Sequence, residues 1–389
     1  MQSVTGVAFR DPPPFSAEVG PDRLAFYPGG HDRREAVLAM IRGAQHSLKL
    51  VFYIFAQDAI ATLVRDELAA AARRGVKVLL ILDHFGSSAT ESFLAPLREA
   101  GGEFRWINPR WGLRYLIRNH QKMIVADDAR AIFGGFNIED DYFAPPEANG
   151  WTDLAIAIEG PAVAGLVEWF AKLDRWTADQ RPHYRAVLKS VRSWDWSGGR
   201  VRWLVGGPTR GLSTWARCVT LDMAKGDRLD MVMAYFSPPS HLLRRMGKIA
   251  ERGETRLVMA AKSDNTATIG ASRSLYRYLL RHKARVWEFA PCKLHTKLIV
   301  LDDAVYLGSA NFDARSLYIN LEIVLFIEDA GLARRLRQYM ADLIVASREI
   351  TPAIHAERAT WWNRMRWRLA LFLVAVIDYT LHRQFNLFR

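Results

Sequence analysis

Asn119-His120-Gln121-Lys122-Met123-Ile124-Val125-Ala126-Asp127 and Leu294-His295-Thr296-Lys297-Leu298-Ile299-Val300-Leu301-Asp302 are two copies of one pattern within a single chain. Each sets a histidine and a lysine two residues apart, runs through four apolar residues and ends in an aspartate. A glycine-rich stretch follows each, Gly134-Gly135-Phe136-Asn137 and Gly308-Ser309-Ala310-Asn311. One more strand-like segment closes each copy, Asp153 to Ile158 and Glu322 to Ile327. Upstream, Leu48 to Phe55 matches Asp230 to Phe236. A helical stretch then stops at Arg74-Gly75 or Arg252-Gly253, and a second strand runs from Val76 to Asp83 or Thr255 to Ala261. Both glycines read as left-handed helix stops. The offset between copies stays within 169 to 182 residues, a register that two unrelated segments sharing one motif would not hold.

Strands alternating with helices predict an α/β fold. Duplication predicts two similar lobes facing each other about a pseudo-two-fold axis, each a mixed β-sheet flanked by helices. We place the first lobe, with an N-terminal extension, at residues 1–185, the second at 186–350, and a basic, aromatic tail at 351–389.

Composition narrows the classes. The chain has 389 residues, 50% hydrophobic and 24% charged, which excludes a disordered or low-complexity protein. A formal charge of +12 points to polyanionic partners without choosing among them. Two cysteines, Cys218 and Cys292, are too few for a disulfide framework or a cysteine zinc site. Met1 to Gly20 lacks an apolar core and carries Asp11-Pro12-Pro13-Pro14, so no secretory signal is expected there. No apolar run approaches the roughly 18 residues of a membrane span.

In a strand, residues two apart share a face, so His120 and Lys122 present an imidazole beside an ammonium, as do His295 and Lys297. Asp127 and Asp302, seven positions beyond their histidines, face away and begin Asp-Asp turns. Those turns read as hairpin caps rather than as a metal site. Asn137 and Asn311 return on the partner strand. Two facing half-sites gather two imidazoles, two ammoniums and two amides, a set suited to a phosphate. One histidine can attack phosphorus while the other protonates the leaving oxygen.

These residues resemble the phospholipase D superfamily, marked by HxKxxxxD, a Gly-Ser strand and an asparagine. The first copy has Gly134-Gly135 where Gly-Ser is usual, and the second has a hairpin one residue shorter. The resemblance covers about residues 20–345. It implies duplicated phospholipase D-like lobes and catalytic sets His120, Lys122, Asp127 and His295, Lys297, Asp302. It also implies a phosphohistidine on His120 with His295 as acid and base. Lys122, Lys297, Asn137, Ser309 and Asn311 would hold substrate, Asp153 and Glu322 would orient the histidine rings, and no metal or other cofactor is implied. Within the superfamily the bacterial cardiolipin synthase branch is the nearest in pattern. Asn108-Pro109-Arg110, Tyr235-Phe236-Ser237-Pro238-Pro239, Lys262-Ser263-Asp264 and Asn311-Phe312-Asp313-Ala314-Arg315-Ser316 carry that likeness, although Gln121 stands where the branch often has arginine. The N-terminal membrane helices of some members are not expected.

The tail agrees with a lipid substrate. Arg358 to Arg389 holds six arginines against one acid, Asp378. Trp361, Trp362 and Trp367 precede the apolar run Leu369 to Ile377, with Tyr379 beyond it. Nine helical residues rise only about 13–14 Å, too short to span a bilayer but suited to its interface. A helix packed on the core is the alternative. Arg110, Arg114 and Arg118 offer a second basic stripe if helical. The leading expectation is a phosphatidyl transferase at the cytoplasmic face of a bacterial inner membrane, making cardiolipin from phosphatidylglycerol. An anionic phospholipid and a membrane surface are its partners, and nucleic acid is not. A phospholipase D, a metal-independent nuclease and a catalytically silent membrane-binding protein are the other readings.

Overall fold

The computed structural model describes residues 9–107, 117–178, 184–209 and 211–377. The first sheet has eight strands. In spatial order they are Phe15–Val19, Asp22–Tyr27, Ala155–Glu159, Arg130–Gly134, Met123–Ala126, Ser47–Phe52, Lys77–Asp83 and Glu103–Ile107. The second has nine: Trp196–Gly198, Val201–Gly206, Glu322–Glu328, Ala304–Gly308, Lys297–Leu301, Arg228–Met233, Glu254–Ala260, Arg285–Phe289 and Ser347–Glu349. Strand for strand, the second sheet repeats the first and adds Ser347–Glu349 at its edge. Both sheets are mixed. Ser47–Phe52 runs parallel to Lys77–Asp83 and antiparallel to Met123–Ala126, and Arg228–Met233 is placed the same way in the second sheet.

Parallel neighbours need a crossover, and the helices Ala59–Arg73 and Ser240–Arg252 supply it. In the first, Ile60, Ala61, Val64, Leu68 and Ala71 line one face and are buried on the sheet, and the Asp58 carboxylate accepts from Ala61 N at the N-cap. Gly75 ends that helix at φ +90°, as the sequence predicts. Gly253 does not: its φ is −145°. A Cβ there would lie 2.0 Å from the Asp227 carbonyl oxygen, so close approach of two backbone segments, not a left-handed turn, requires the glycine.

The outer face of the first sheet and its helices enclose one apolar cluster. A second cluster runs continuously from one lobe into the other. Within it the Phe133 and Trp203 rings meet edge to face at 4.9 Å, and Trp203 Nε1 donates to Ala162 O at 2.8 Å. The lobes therefore share a core and do not hinge on a linker.

Candidate active site

The lobes also exchange backbone at the motif. His120 and Lys122 precede the regular strand, which starts at Met123. Their segment is held by the opposite lobe, with Leu321 N donating to Arg118 O and His120 N donating to Leu321 O, both at 2.9 Å. Reciprocally, Lys293–Leu294 pairs in parallel with Trp151–Thr152, and His295 N donates to Thr152 O at 2.8 Å. Each histidine thus sits beside the carboxylate strand of the other lobe.

That exchange decides the partners. His120 Nδ1 lies 3.0 and 3.1 Å from the two oxygens of Glu322, and His295 Nδ1 lies 2.8 Å from Asp153 Oδ2. Each carboxylate fixes Nδ1 as the protonated nitrogen and leaves Nε2 as the basic one. Lys122 Nζ and Lys297 Nζ each donate to the carbonyl of their own histidine at 2.6 Å. Lys297 Nζ lies beside the His295 ring, 2.9 Å from Nδ1 and 3.1 Å from Nε2, and Tyr142 OH is 3.3 Å from Nε2. Among the described residues, Nε2 of His120 has no such contact.

The remaining expected residues divide. Asn137 is buried, accepts from Ile54 N at 3.1 Å and donates to Tyr142 OH at 3.0 Å. Asn311 Oδ1 is buried without a protein partner. Ser309, expected to hold substrate, instead donates to the Glu322 carboxylate and accepts from Ile323 N at 3.1 Å. In the first lobe Gly135 stands at that position, and a Cβ there would lie 2.6 Å from Asp153 Oδ2 and 3.0 Å from Lys297 Nζ. Asp153, one methylene shorter than Glu322, uses the space that a serine would fill.

Asp127 and Asp302 do not join the site, which corrects their inclusion among the catalytic residues. Asp127 sits at the far end of the strand, about 16 Å along the chain from Lys122. There its carboxylate accepts from the backbone N–H groups of Gln45, His46 and Ser47. Asp302 accepts from Asp227 N and Arg228 N. Each aspartate pins its hairpin turn to the start of the neighbouring central strand, and both adopt positive φ, 55° and 50°.

Burial and charge set the protonation states. Burial, reinforced by Lys122 and Lys297 against the pull of Glu322, pushes the His120 pKa down to about 4. Burial and Lys297 push that of His295 down to about 3. Burial lowers Lys297 to about 8 and moves Lys122 well below its usual range. Burial alone would raise Asp153, but the hydrogen bond and charge of His295 outweigh it, and the carboxyl stays below its ordinary value. Lys122 bears on His295 and Lys297 on His120, so the half-sites share one electrostatic space. Burial therefore favours neutral imidazoles on both histidines at pH 7.

Sequence reasoning missed several neighbours. The Tyr53 ring lies 5.0 Å from His120, with Lys122 Nζ 5.2 Å from its centroid. Tyr142 and Trp151 flank His295 at 5.0 and 5.1 Å, and Tyr235 stands 6.3 Å away. Tyr53 and Tyr235 occupy matching places in the repeat, a signal that was available. Arg33 carried none: it is fully buried in the first helix, where it donates to Pro28 O at 2.8 Å and Asp153 O at 2.7 Å and also to Tyr142 O. Gln121 is buried between Trp169 Nε1, at 2.9 Å, and Glu322 O, at 3.1 Å, so a neutral donor–acceptor suits the position. Asn108, Pro109, Arg110 and Arg114 lie outside the described residues; Arg118 is buried, 3.8 Å from the Phe85 ring.

Comparison with known proteins agrees. A family model described as "Cardiolipin synthase, PLD-like domain" matches residues 37–173 and 218–344. Cardiolipin synthase A of Salmonella arizonae is 30% identical over 374 residues, 92% of this chain and 76% of that protein. Cardiolipin synthase A of Klebsiella pneumoniae is 31% identical over 359 residues, 88% of this chain and 73% of that one. In fold, the crystal structure of phosphatidylserine synthase from Haemophilus influenzae superposes with a TM-score of 0.74 at 13% identity, over 95% of this chain and 96% of that one. The family model matches once in each of the two repeats and covers more than half of the chain, and the chain belongs to the PLD-like, cardiolipin synthase family.

Proposed function

We propose that this protein is a phosphatidyl transferase that makes cardiolipin from two molecules of phosphatidylglycerol. The observation that carries the reading is the crossed pairing of His120 with Glu322 and His295 with Asp153. His120, whose Nε2 is unencumbered, attacks the phosphorus of the first lipid. The P–O bond to glycerol breaks as a P–N bond forms, and protonated His295 gives its Nε2 proton to the leaving alkoxide. Burial favours the neutral form of His295 in the free protein; the anionic phosphodiester, once bound, favours its imidazolium. A hydroxyl of the second lipid then gives its proton to His295 and attacks phosphorus. The P–N bond breaks and His120 is restored. Lys122, Lys297, Asn137 and Asn311 hold the phosphoryl oxygens, and the tyrosines border the reacting groups.

The reaction takes place at a membrane surface, on its cytoplasmic side, with residues 351–389 as the associating arm. In support, helix Trp361–Leu371 exposes Trp361, Trp362, Met365 and Leu369 while its other face packs on the second lobe. One face of this helix packs on the core, which leaves the exposed apolar face available to a bilayer interface. No helix among the described residues is long and apolar enough to cross a membrane. Residues 378–389, with Tyr379, lie outside them.

Purified protein given labelled phosphatidylglycerol should yield cardiolipin and glycerol. Phosphatidic acid as the sole product would replace transfer by hydrolysis, and no lipid product together with plasmid cleavage in EDTA would make the protein a nuclease.

A further inference from the structure

Away from the catalytic histidines, a cleft of about 420 Å³ opens between helices Thr266–Arg281, Pro352–Arg358 and Trp361–Leu371. Its size is that of a small-molecule site. Arg277, Arg281, Arg364 and Arg368 line it, with His355 and Trp367 between them. Neither long helix carries an acidic residue. The one buried acid nearby, Glu288, is already matched by a bidentate pair to Arg273, at 2.7 and 3.0 Å, and by Arg358 at 2.9 Å. Among the described residues, Arg277, Arg281, Arg364 and Arg368 have no carboxylate partner. Arg277 and Arg281 are four residues apart, as are Arg364 and Arg368, a spacing at which like charges repel on a helix. Bringing two such pairs to one cleft concentrates that repulsion where an anion would relieve it.

The cleft's position selects the anion. At roughly 100° per residue around the C-terminal helix, Arg364 and Arg368 fall on the boundary between two faces. On one side Trp367 and Ala370 pack on Thr266–Arg281, where Gly270 lets the helices approach until a Cβ would lie 3.0 Å from that of Ala370. On the other side Trp361, Met365, Leu369 and Phe372 are exposed as one apolar stripe. A guanidinium cluster bordering an outward apolar stripe matches a phosphate attached to acyl chains, since the phosphate meets the arginines while the chains lie along the stripe. A free phosphate or an acidic peptide would leave the stripe uncovered.

We propose that this cleft binds the phosphate of a non-reacting anionic phospholipid in the bilayer, fixing the protein on the surface through a headgroup site separate from the catalytic centre. The proposal rests on the membrane reading above but not on the transfer chemistry. Its test uses the His120→Ala full-length protein, so that lipid is not consumed. Partition is measured by co-sedimentation with vesicles of phosphatidylcholine, alone or mixed with phosphatidylglycerol. The protein should prefer the mixed vesicles, and R281E/R368E should weaken that binding by more than ~10-fold while leaving partition to phosphatidylcholine unchanged. Both arginines are exposed and unpaired, so the fold should survive, and R281Q/R368Q gives the same comparison with less charge change. R34E/R98E reverses the same charge on the first lobe and should have little effect. The proposal is overturned if R281E/R368E binds mixed vesicles like its parent, if R34E/R98E weakens binding equally, or if inorganic phosphate displaces the protein at matched ionic strength. Absence of any vesicle binding removes the membrane reading and this site together. The transfer reaction is then judged separately, by its products in detergent micelles.

Discussion

Glu322 of the second lobe is held 3.0 Å from Nδ1 of His120, which the first lobe supplies. Asp153 returns the relationship to His295 at 2.8 Å. Each half-site is completed by the other half of the chain, and the consequences can be measured.

Replacing the carboxylate by an amide should disable the histidine without unfolding the protein. In Glu322→Gln the amide can donate to Nδ1, which moves the His120 proton to Nε2 and removes the nucleophilic lone pair. We expect kcat on a soluble phosphodiester to fall by about 10⁴-fold, with the melting temperature near that of the parent.

The two histidines should separate by leaving group. With a p-nitrophenyl phosphodiester the departing oxygen needs little protonation, so His295→Ala should lose only ~10²-fold in the first step. Without its base it should then accumulate phosphohistidine, detectable by acid-quench mass spectrometry. His120→Ala should release no p-nitrophenol above background. A burst from His120→Ala with none from His295→Ala would exchange the roles.

The pH profile follows from the shifted groups. Attack requires neutral His120, whose pKa in the free protein is pushed down to about 4, so kcat/KM should fall below that pH as the imidazole gains a proton. Holding the phosphoryl oxygens requires charged Lys297, lowered to about 8, so the alkaline limb should fall as that ammonium loses its proton. Because the first step also needs the His295 imidazolium, whose pKa in the free protein is pushed down to about 3, kcat/KM should decline steadily between these limits and steepen at the alkaline one. An alkaline limb near pH 10 would mean that Lys297 retains an ordinary ammonium.

The lobes differ at one small residue. Gly135→Ser places atoms within 3.0 Å of Asp153, displaces its carboxylate from His295 and should lower kcat several-fold. Ser309→Ala removes a donor to buried Glu322 and should cost about 1–3 kcal/mol of stability, read by denaturant unfolding.

Two helix-ending glycines should respond differently to alanine. Gly75 has φ +90° with nothing within 4 Å of a Cβ, so the cost is conformational, about 1–2 kcal/mol. At Gly253 the Cβ meets the Asp227 carbonyl at 2.0 Å, and strand or helix must move. We expect the larger loss there, about 3 kcal/mol, visible as the lower melting temperature of the two variants.

The duplication and the succession of strands along the chain were legible because periodicity and spacing are local properties repeated in register, whereas the order of strands within each sheet was not. The His, Lys, Asn and carboxylate positions could be read for the same reason. Which carboxylate serves which histidine could not, because that depends on how the lobes dock, and docking leaves no mark on spacing. The aspartates of the motif show the converse. Their alternation and turn-forming character already pointed away from the site, although the family pattern groups them with the catalytic pair. Arg33 was invisible, since nothing in Gly29-Gly30-His31-Asp32-Arg33 distinguishes a buried guanidinium from a solvated one.

The parallel backbone contact at Asn119 and Leu321, with Glu322 next to it, has a temporal consequence. A ribosome completes every strand of the first lobe long before it reaches codon 322, so the nascent N-terminal half emerges with its imidazole untethered. A chain cut short before Glu322 would carry His120 without the carboxylate that orients its ring.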